Sequence, residues 1–341
     1  MTNHDQAATV RPQALAWVSR YLDAGERIVT TRALHGGITA EMRRLTIAAP
    51  DGATRDLVLR TFVDVPHAED WLGREAGALT LLTGTSVSAP GLVAVDATAA
   101  HCEYPSLLMT HVAGRTVLHD EGVRDRVPLL AGQLVAINAL RPARPAERPR
   151  SYVAWTTADT VVTPPGADAA AWAAAIDVIR KPAPPYVGRF LHRDFQPGNV
   201  LFDVPPADPE GARVDPEGSS VDPEGTPVDA EGTRITGVVD WAATSWGPAD
   251  LDVAHCATVL AMLHGPEWGL RFVAAYEKAG GEPAAVTEER LYWLVRDALA
   301  FSEEVSVVAR AWRKAGRPEL TTRVVEERLD AYVTRLMGTL V

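Results

Sequence analysis

The chain has 341 residues, 47% of them apolar and 23% charged, enough for one two-lobed unit or two domains with sizeable cores. This composition excludes a disordered, collagen-like or disulfide-stapled protein, and Cys102 and Cys256 lack the CxxC spacing of a zinc or redox motif. The formal charge of −11 argues against a nucleic-acid partner.

Met1 to Val10 lack a basic start followed by an apolar run, and no stretch approaches the roughly 18 apolar residues of a membrane span. A soluble, cytoplasmic protein without a membrane partner is expected, as a monomer or homodimer. Much of the charge is local. Residues 203–235 carry nine acids and two arginines, a net −7, which leaves −4 for the rest. The acids fall in a repeat of period seven: Asp208-Pro-Glu-Gly211, Asp215-Pro-Glu-Gly218, Asp222-Pro-Glu-Gly225 and Asp229-Ala-Glu-Gly232. Glycine and proline break helices, and the few valines bury too little area to offset ordering entropy. A disordered acidic loop over 203–234 is therefore expected. No unit has the ligand pattern of an EF-hand calcium loop.

In chain order, the pattern predicts a helix over 13–23, strands over 32–35 and 40–47 around Gly36-Gly37, and a third strand over 56–62. A helix over 67–82 and strands over 91–95 and 106–112 follow, with a bend at Gly114. Beyond it helices dominate, at 124–140, 168–181, 251–263, 268–278, 288–314 and 321–337. Short apolar strands over 189–192, 200–202 and 235–239 interrupt them. The fold class expected is α+β: a small β-rich N-lobe over 1–111 and a larger, mainly helical C-lobe over 112–341.

The chemistry concentrates in His192-Arg-Asp-Phe-Gln-Pro-Gly-Asn-Val-Leu-Phe202. Asp194 and Asn199 flank a Pro-Gly turn between two apolar strand ends. A carboxylate there could accept a hydroxyl proton, and Asn199 could offer an oxygen to Mg²⁺. Asp240, in Val238-Val239-Asp240-Trp241, ends another strand and would supply a charged metal ligand. Two acids and an amide in this order suit metal-assisted phosphoryl transfer, which depends on positioning and charge neutralisation.

This H-x-D-x-x-x-x-N pattern, followed by an apolar strand ending in D-W, resembles the aminoglycoside phosphotransferase family, whose fold is similar to that of protein kinases. The resemblance runs from about residue 30 to 310. It implies ATP or GTP with Mg²⁺ as cofactors, Asp194 as catalytic base or hydroxyl-orienting acid, and Asn199 and Asp240 as metal ligands. His192 would be structural, and Arg193 stands where many members have glycine. Leu107 to Gly114 resembles the interlobe hinge, so the Thr110 carbonyl and Val112 amide would hold adenine. Gly36-Gly37 resembles the phosphate-covering loop. Arg60 takes the place of the family's phosphate-binding basic residue, more often lysine, with Glu75 as ion-pair partner. Asn138 replaces a frequent histidine, and Asp252 matches an aspartate expected to cap a helix and brace the catalytic loop.

Acceptor recognition is less clearly written. In the helix expected from Glu288, the stripe Leu294, Ala298, Phe301, Val305, Val308 and Trp312 should face the core. Asp297 and Glu304 fall on the adjacent edge, where acids could bind the ammonium groups of an aminoglycoside. Trp293, Trp312 and Trp268 would equally suit a macrolide. The function expected is transfer of a γ-phosphoryl group to a small-molecule hydroxyl, of an aminoglycoside or of another natural product, sugar or choline-like alcohol. A nucleotide-binding pseudokinase is the rival from another class. Protein-kinase activity is disfavoured: no A-P-E segment follows Asp240, and the ten residues between it and Leu251 are too few for an activation loop.

Overall fold

Five strands of the computed structural model, which describes residues 11–34, 40–142, 148–203 and 233–338, form one antiparallel sheet. They are β1 (Arg27–Leu34), β2 (Glu41–Ala48), β3 (Thr54–Thr61), β4 (Leu92–Asp96) and β5 (Ser106–Thr110), in the order β1-β2-β3-β5-β4. With α1 (Pro12–Val18) and α2 (Ala68–Leu82) they make up a first compact unit, Met1–Val112 joined by Asp240–Ala243.

The two-residue period of a strand divides β3 between two environments. Leu57 and Leu59 join Leu45, Ile47, Leu108 and the α1 residues Ala14, Trp17 and Val18 in one core cluster. Arg60 projects to the other face, where α2 lies. The buried stripe of α2 is Leu72, Ala76, Leu79 and Leu82 at helical spacing, and Glu75 falls within it. A carboxylate at that position loses its water and requires a cation.

β1 begins five residues before the strand expected at 32–35. It is an edge strand of mostly exposed residues, so it lacks the apolar alternation that marks a half-buried strand. The helix expected over 13–23 ends at Val18 and passes into a 3₁₀ turn over Ser19–Tyr21. Gly36 and Gly37, and the Asp-Pro-Glu-Gly repeats, lie outside the described residues.

The second unit, Ala113–Val239 with Thr244–Val341, is mainly helical. It contains α3 (Val123–Ala139), α4 (Ala169–Arg180), α5 (Ala249–His264), α6 (Pro266–Lys278), α7 (Thr287–Ala300), α8 (Val305–Lys314) and α9 (Thr322–Gly338). Two antiparallel ribbons complete it. One pairs β6 (Gly188–Leu191) with β9 (Ser245–Pro248), and the other pairs β7 (Val200–Asp203) with β8 (Arg234–Val238). β9 is absent from the sequence expectation because four residues containing Gly and Pro carry no strand signal. Gly114 has a left-handed backbone (φ +118), and a Cβ there would come within 3.0 Å of the Phe202 carbonyl oxygen. The bend at this position accordingly calls for glycine.

The helix expected over 288–314 divides. α7 ends at Ala300, a 3₁₀ turn spans Phe301–Glu303, and α8 starts at Val305. The bond from Glu304 N–H to the Phe301 carbonyl (2.9 Å) tightens this turn and re-phases the apolar stripe. α5 is buried from Ala249 to Leu263, as its nearly continuous apolar sequence requires. Its polar members Asp250, Asp252, His255 and Thr258 must therefore all find partners.

Candidate active site

In the first unit, Arg60 Nη1 donates to both Glu75 oxygens at 3.0 and 2.9 Å and to Asp240 Oδ1 at 2.9 Å. Arg60 and Glu75 are both buried. Burial pushes the Glu75 carboxyl up to about 7 against the pull of Arg60. Burial also opposes the charge on Arg60, but Glu75 and Asp240 outweigh it and hold the guanidinium cationic. The Arg60 head lies over the Phe62 ring at 4.9 Å. Asp240 itself has a left-handed backbone (φ +66), a costly geometry for a non-glycine residue, and its side chain is 39% exposed. Arg60 engages Oδ1 only, so Oδ2 is outside this bond. Thr110 closes β5 and uses its own N–H on the Gly91 carbonyl (2.9 Å), and Val112 is the last residue of this stretch of the unit.

In the second unit, the loop after β6 carries Asp194. Gln196 Nε2 (2.9 Å) and His255 Nε2 (3.0 Å) donate to Asp194 Oδ1, and Asn199 Nδ2 (2.9 Å) donates to Oδ2. Asn199 Nδ2 also donates to the Asp194 carbonyl at 2.8 Å, which directs the amide oxygen Oδ1 away from these bonds. Burial tends to raise the Asp194 pKa, but the bond and charge of His255 lead a set of effects that hold it below the ordinary range. Asp194 is thus an ionised carboxylate with part of its side chain still open to solvent.

The loop is fixed from behind by α5. Asp252 accepts the backbone N–H of His192 on Oδ2 (2.9 Å) and of Arg193 on Oδ1 (2.8 Å), and Asn138 Nδ2 bonds the same Oδ2 at 3.2 Å. Asp252 lies inside α5 rather than at its cap, since the helix begins at Ala249. Asn138 Nδ2 also donates to the Phe190 carbonyl, while Tyr276 Oη donates to Asn138 Oδ1, both at 3.0 Å. His192 bonds the Val239 carbonyl through Nε2 (3.1 Å) and accepts the Asp194 N–H on Nδ1 (3.2 Å), which matches a neutral structural imidazole.

Two residues near Asp194 escaped the sequence reading. His255 is buried in α5, with Nδ1 3.3 Å from Asp297 Oδ1. Burial alone would lower its pKa, but Asp297 and Asp194 raise it to about 9. The available clue was its spacing, three residues from Asp252 on the same helical face. Trp155, 48% exposed, takes the Arg193 guanidinium over its ring at 4.1 Å and meets His255 edge-on at 5.3 Å.

The acceptor-side expectations need correction. Asp297 is not on a solvated helix edge; it is buried and engaged with His255. The break in the helix separates it from Glu304, which is exposed before α8. Trp293 and Trp312 are core residues, because α7 and α8 turn them inward.

The model of a phosphotransferase enzyme family matches residues 30–223 and 228–291. No curated protein matches the chain. Among solved structures, a microcompartment-associated aminopropanol kinase is similar at TM-score 0.59 and 16% identity, covering 96% of this chain and 97% of its own. The GDP complex of aminoglycoside 2'-phosphotransferase-IIIa matches at 0.55 and 17%, covering 95% and 97%. A macrolide 2'-phosphotransferase type I matches at 0.53 and 17%, covering 94% and 99%. At these identities the likeness establishes the α+β, kinase-like fold. With the family model spanning most of the sequence, the chain belongs to the aminoglycoside phosphotransferase family, and it is a small-molecule phosphotransferase with an alcohol group as acceptor.

Proposed function

We propose that the chain transfers the γ-phosphoryl group of ATP or GTP to a hydroxyl of an aminoglycoside or related natural product. The observation that carries this reading is the Asp194 carboxylate: ionised, partly open to solvent, and held at both oxygens by Gln196, His255 and Asn199. A group so held can orient the acceptor hydroxyl and receive its proton as the O–P bond forms. Asn199 Oδ1 and Asp240 Oδ2 are the oxygens offered to Mg²⁺. Among the described residues no group of three or more His, Cys, Asp or Glu side chains gathers as a metal site. The donor chemistry of Asn199 and Asp240, a side-chain oxygen each, is of the kind that Mg²⁺ takes, since the ion usually binds through one or two protein oxygens plus substrate phosphates. When bound, the ion neutralises charge on the phosphates. Arg60 and the Gly36-Gly37 segment are assigned to the phosphates, with Glu75 holding Arg60. The Thr110 carbonyl and Val112 amide are assigned to the adenine edge.

Trp155 favours a second reading, a less polar acceptor such as a macrolide. Its exposed ring sits on Arg193, the residue before Asp194, whereas Asp297 is committed to His255. The test is a phosphorylation screen with Mg²⁺ and ATP or GTP over aminoglycosides, macrolides and small alcohols, with Asp194→Ala as control. Product from one class, lost in the control, supports the kinase and names its acceptor. Nucleotide binding without product from any class would favour a pseudokinase. Trp155→Ala should raise KM about tenfold for an acceptor with an apolar ring face and leave that of a polycation unchanged.

A further inference from the structure

We propose that His255 is the positioning residue of the transfer loop, an imidazole clamped by Asp297 that holds the Asp194 carboxylate so that Oδ2 faces the acceptor hydroxyl. This rests on the reading of Asp194 as the proton acceptor.

The clamp spans three elements. Asp194 is in the loop after β6, His255 is in α5 and Asp297 is in α7. The ring nitrogens lie 3.0 Å from Asp194 Oδ1 and 3.3 Å from Asp297 Oδ1. Ionised carboxylates only accept, so a ring satisfying both must donate from both nitrogens and carry a proton on each. Asp297 Oδ2 is buried with no hydrogen-bond partner among the described residues, so the hydrogen bond to this carboxylate comes from His255, while Arg193 adds a second, unbonded positive charge nearby. Phe301 stacks on the ring at 5.3 Å and Trp155 closes its edge at 5.3 Å, which together fix its plane and exclude water. The charged groups around the ring are Asp194 and Arg193 from the loop and Asp297 from α7.

The consequence concerns lone pairs. Each carboxylate oxygen accepts about two hydrogen bonds. Among the described residues, Oδ1 of Asp194 takes Gln196 and His255, while Oδ2 takes Asn199 alone. The remaining lone pair is on Oδ2, and the acceptor hydroxyl donates there. As its oxygen bonds to the γ-phosphorus, the bond from that phosphorus to the bridging oxygen breaks and the nucleoside diphosphate leaves. The hydroxyl proton passes to Oδ2, and the protons of His255 stay where they are. His255 acts through Asp194 and touches neither substrate.

The test uses the full chain with His255→Gln and Asp297→Asn, combining steady-state kinetics on an acceptor from the screen with ¹⁵N NMR of the His255 ring. A glutamine can donate to one carboxylate but not to both. The expected result is a kcat lowered about 10- to 100-fold in His255→Gln with nucleotide KM within about twofold of wild type. In the wild type both ring nitrogens should remain protonated at pH 8, and in Asp297→Asn the ring should titrate at lower pH. A folded His255→Gln with unchanged kcat overturns the proposal, as does a ring singly protonated at pH 7. If His255→Gln does not fold, the kinetics and NMR of Asp297→Asn decide in the same way. If the wild type phosphorylates no acceptor, the phosphotransfer reading of Asp194 is what fails. The NMR of wild type and Asp194→Asn then decides the clamp: an unchanged ring titration overturns it, and a lowered one supports it.

Discussion

Asp252 Oδ1 accepts the backbone N–H of Arg193 at 2.8 Å, tying α5 to a loop residue whose backbone is left-handed (φ +71). A non-glycine residue in this region costs on the order of 1–3 kcal/mol, sustained only where surrounding bonds over-determine it. A glycine at this position would carry no such cost. In this chain the arginine is retained with its guanidinium over Trp155, and Asp252 holds the strained peptide in place.

Asp252→Ala should therefore lower stability by about 3 kcal/mol or more, since the N–H groups of His192 and Arg193 and the amide of Asn138 all lose an acceptor in a buried setting. Urea denaturation measures this. A loss below about 1 kcal/mol would mean the loop keeps its geometry without α5.

Arg60→Ala strands Glu75 without its cation inside the apolar stripe of α2. Removing one partner of a buried ion pair costs about 3–5 kcal/mol. Arg60→Lys should recover most of that stability, because a single Arg60 nitrogen makes the bonds to Glu75 and Asp240. Thermal unfolding of the two variants separates these outcomes.

Asp194→Asn keeps the shape of the side chain and removes the proton acceptor. Turnover of the acceptor should fall by about 10²–10⁴, with little change in nucleotide affinity. Near-normal turnover would remove Asp194 from the reaction.

His255 also sets a pH dependence of stability. Its ordinary value is 6.5 and its folded value about 9, so the stabilisation is complete below pH 6.5 and is lost as pH rises through 9. The full effect is worth up to about 3 kcal/mol for this buried ring. Denaturation at pH 6.5 and 9.5 should show that decline in the wild type and not in His255→Gln. Parallel declines in both proteins would assign the loss to other groups.

The sequence carried the α+β class, most elements and the motif around Asp194, because these depend on local periodicity and on residues only five apart. It missed β1 in part and β9 entirely, since an exposed edge strand and a four-residue buried strand have no alternation to read. It also placed Asp297 on an open edge. The stripe from Leu294 to Trp312 assumed a continuous helix, and the Phe301–Glu303 turn interrupts it.

The sequence by itself determined which groups could perform the chemistry: Asp194 and Asn199 on either side of a Pro-Gly turn, and Asp240 at a strand end. Only the tertiary structure decided how Asp194 is held, because His255 is 61 residues away in sequence and Asp297 a further 42. No spacing rule links a loop to the buried faces of two later helices. Their meeting follows from the packing of α5, whose apolar sequence draws it inside and obliges each of its few polar side chains to find a partner there.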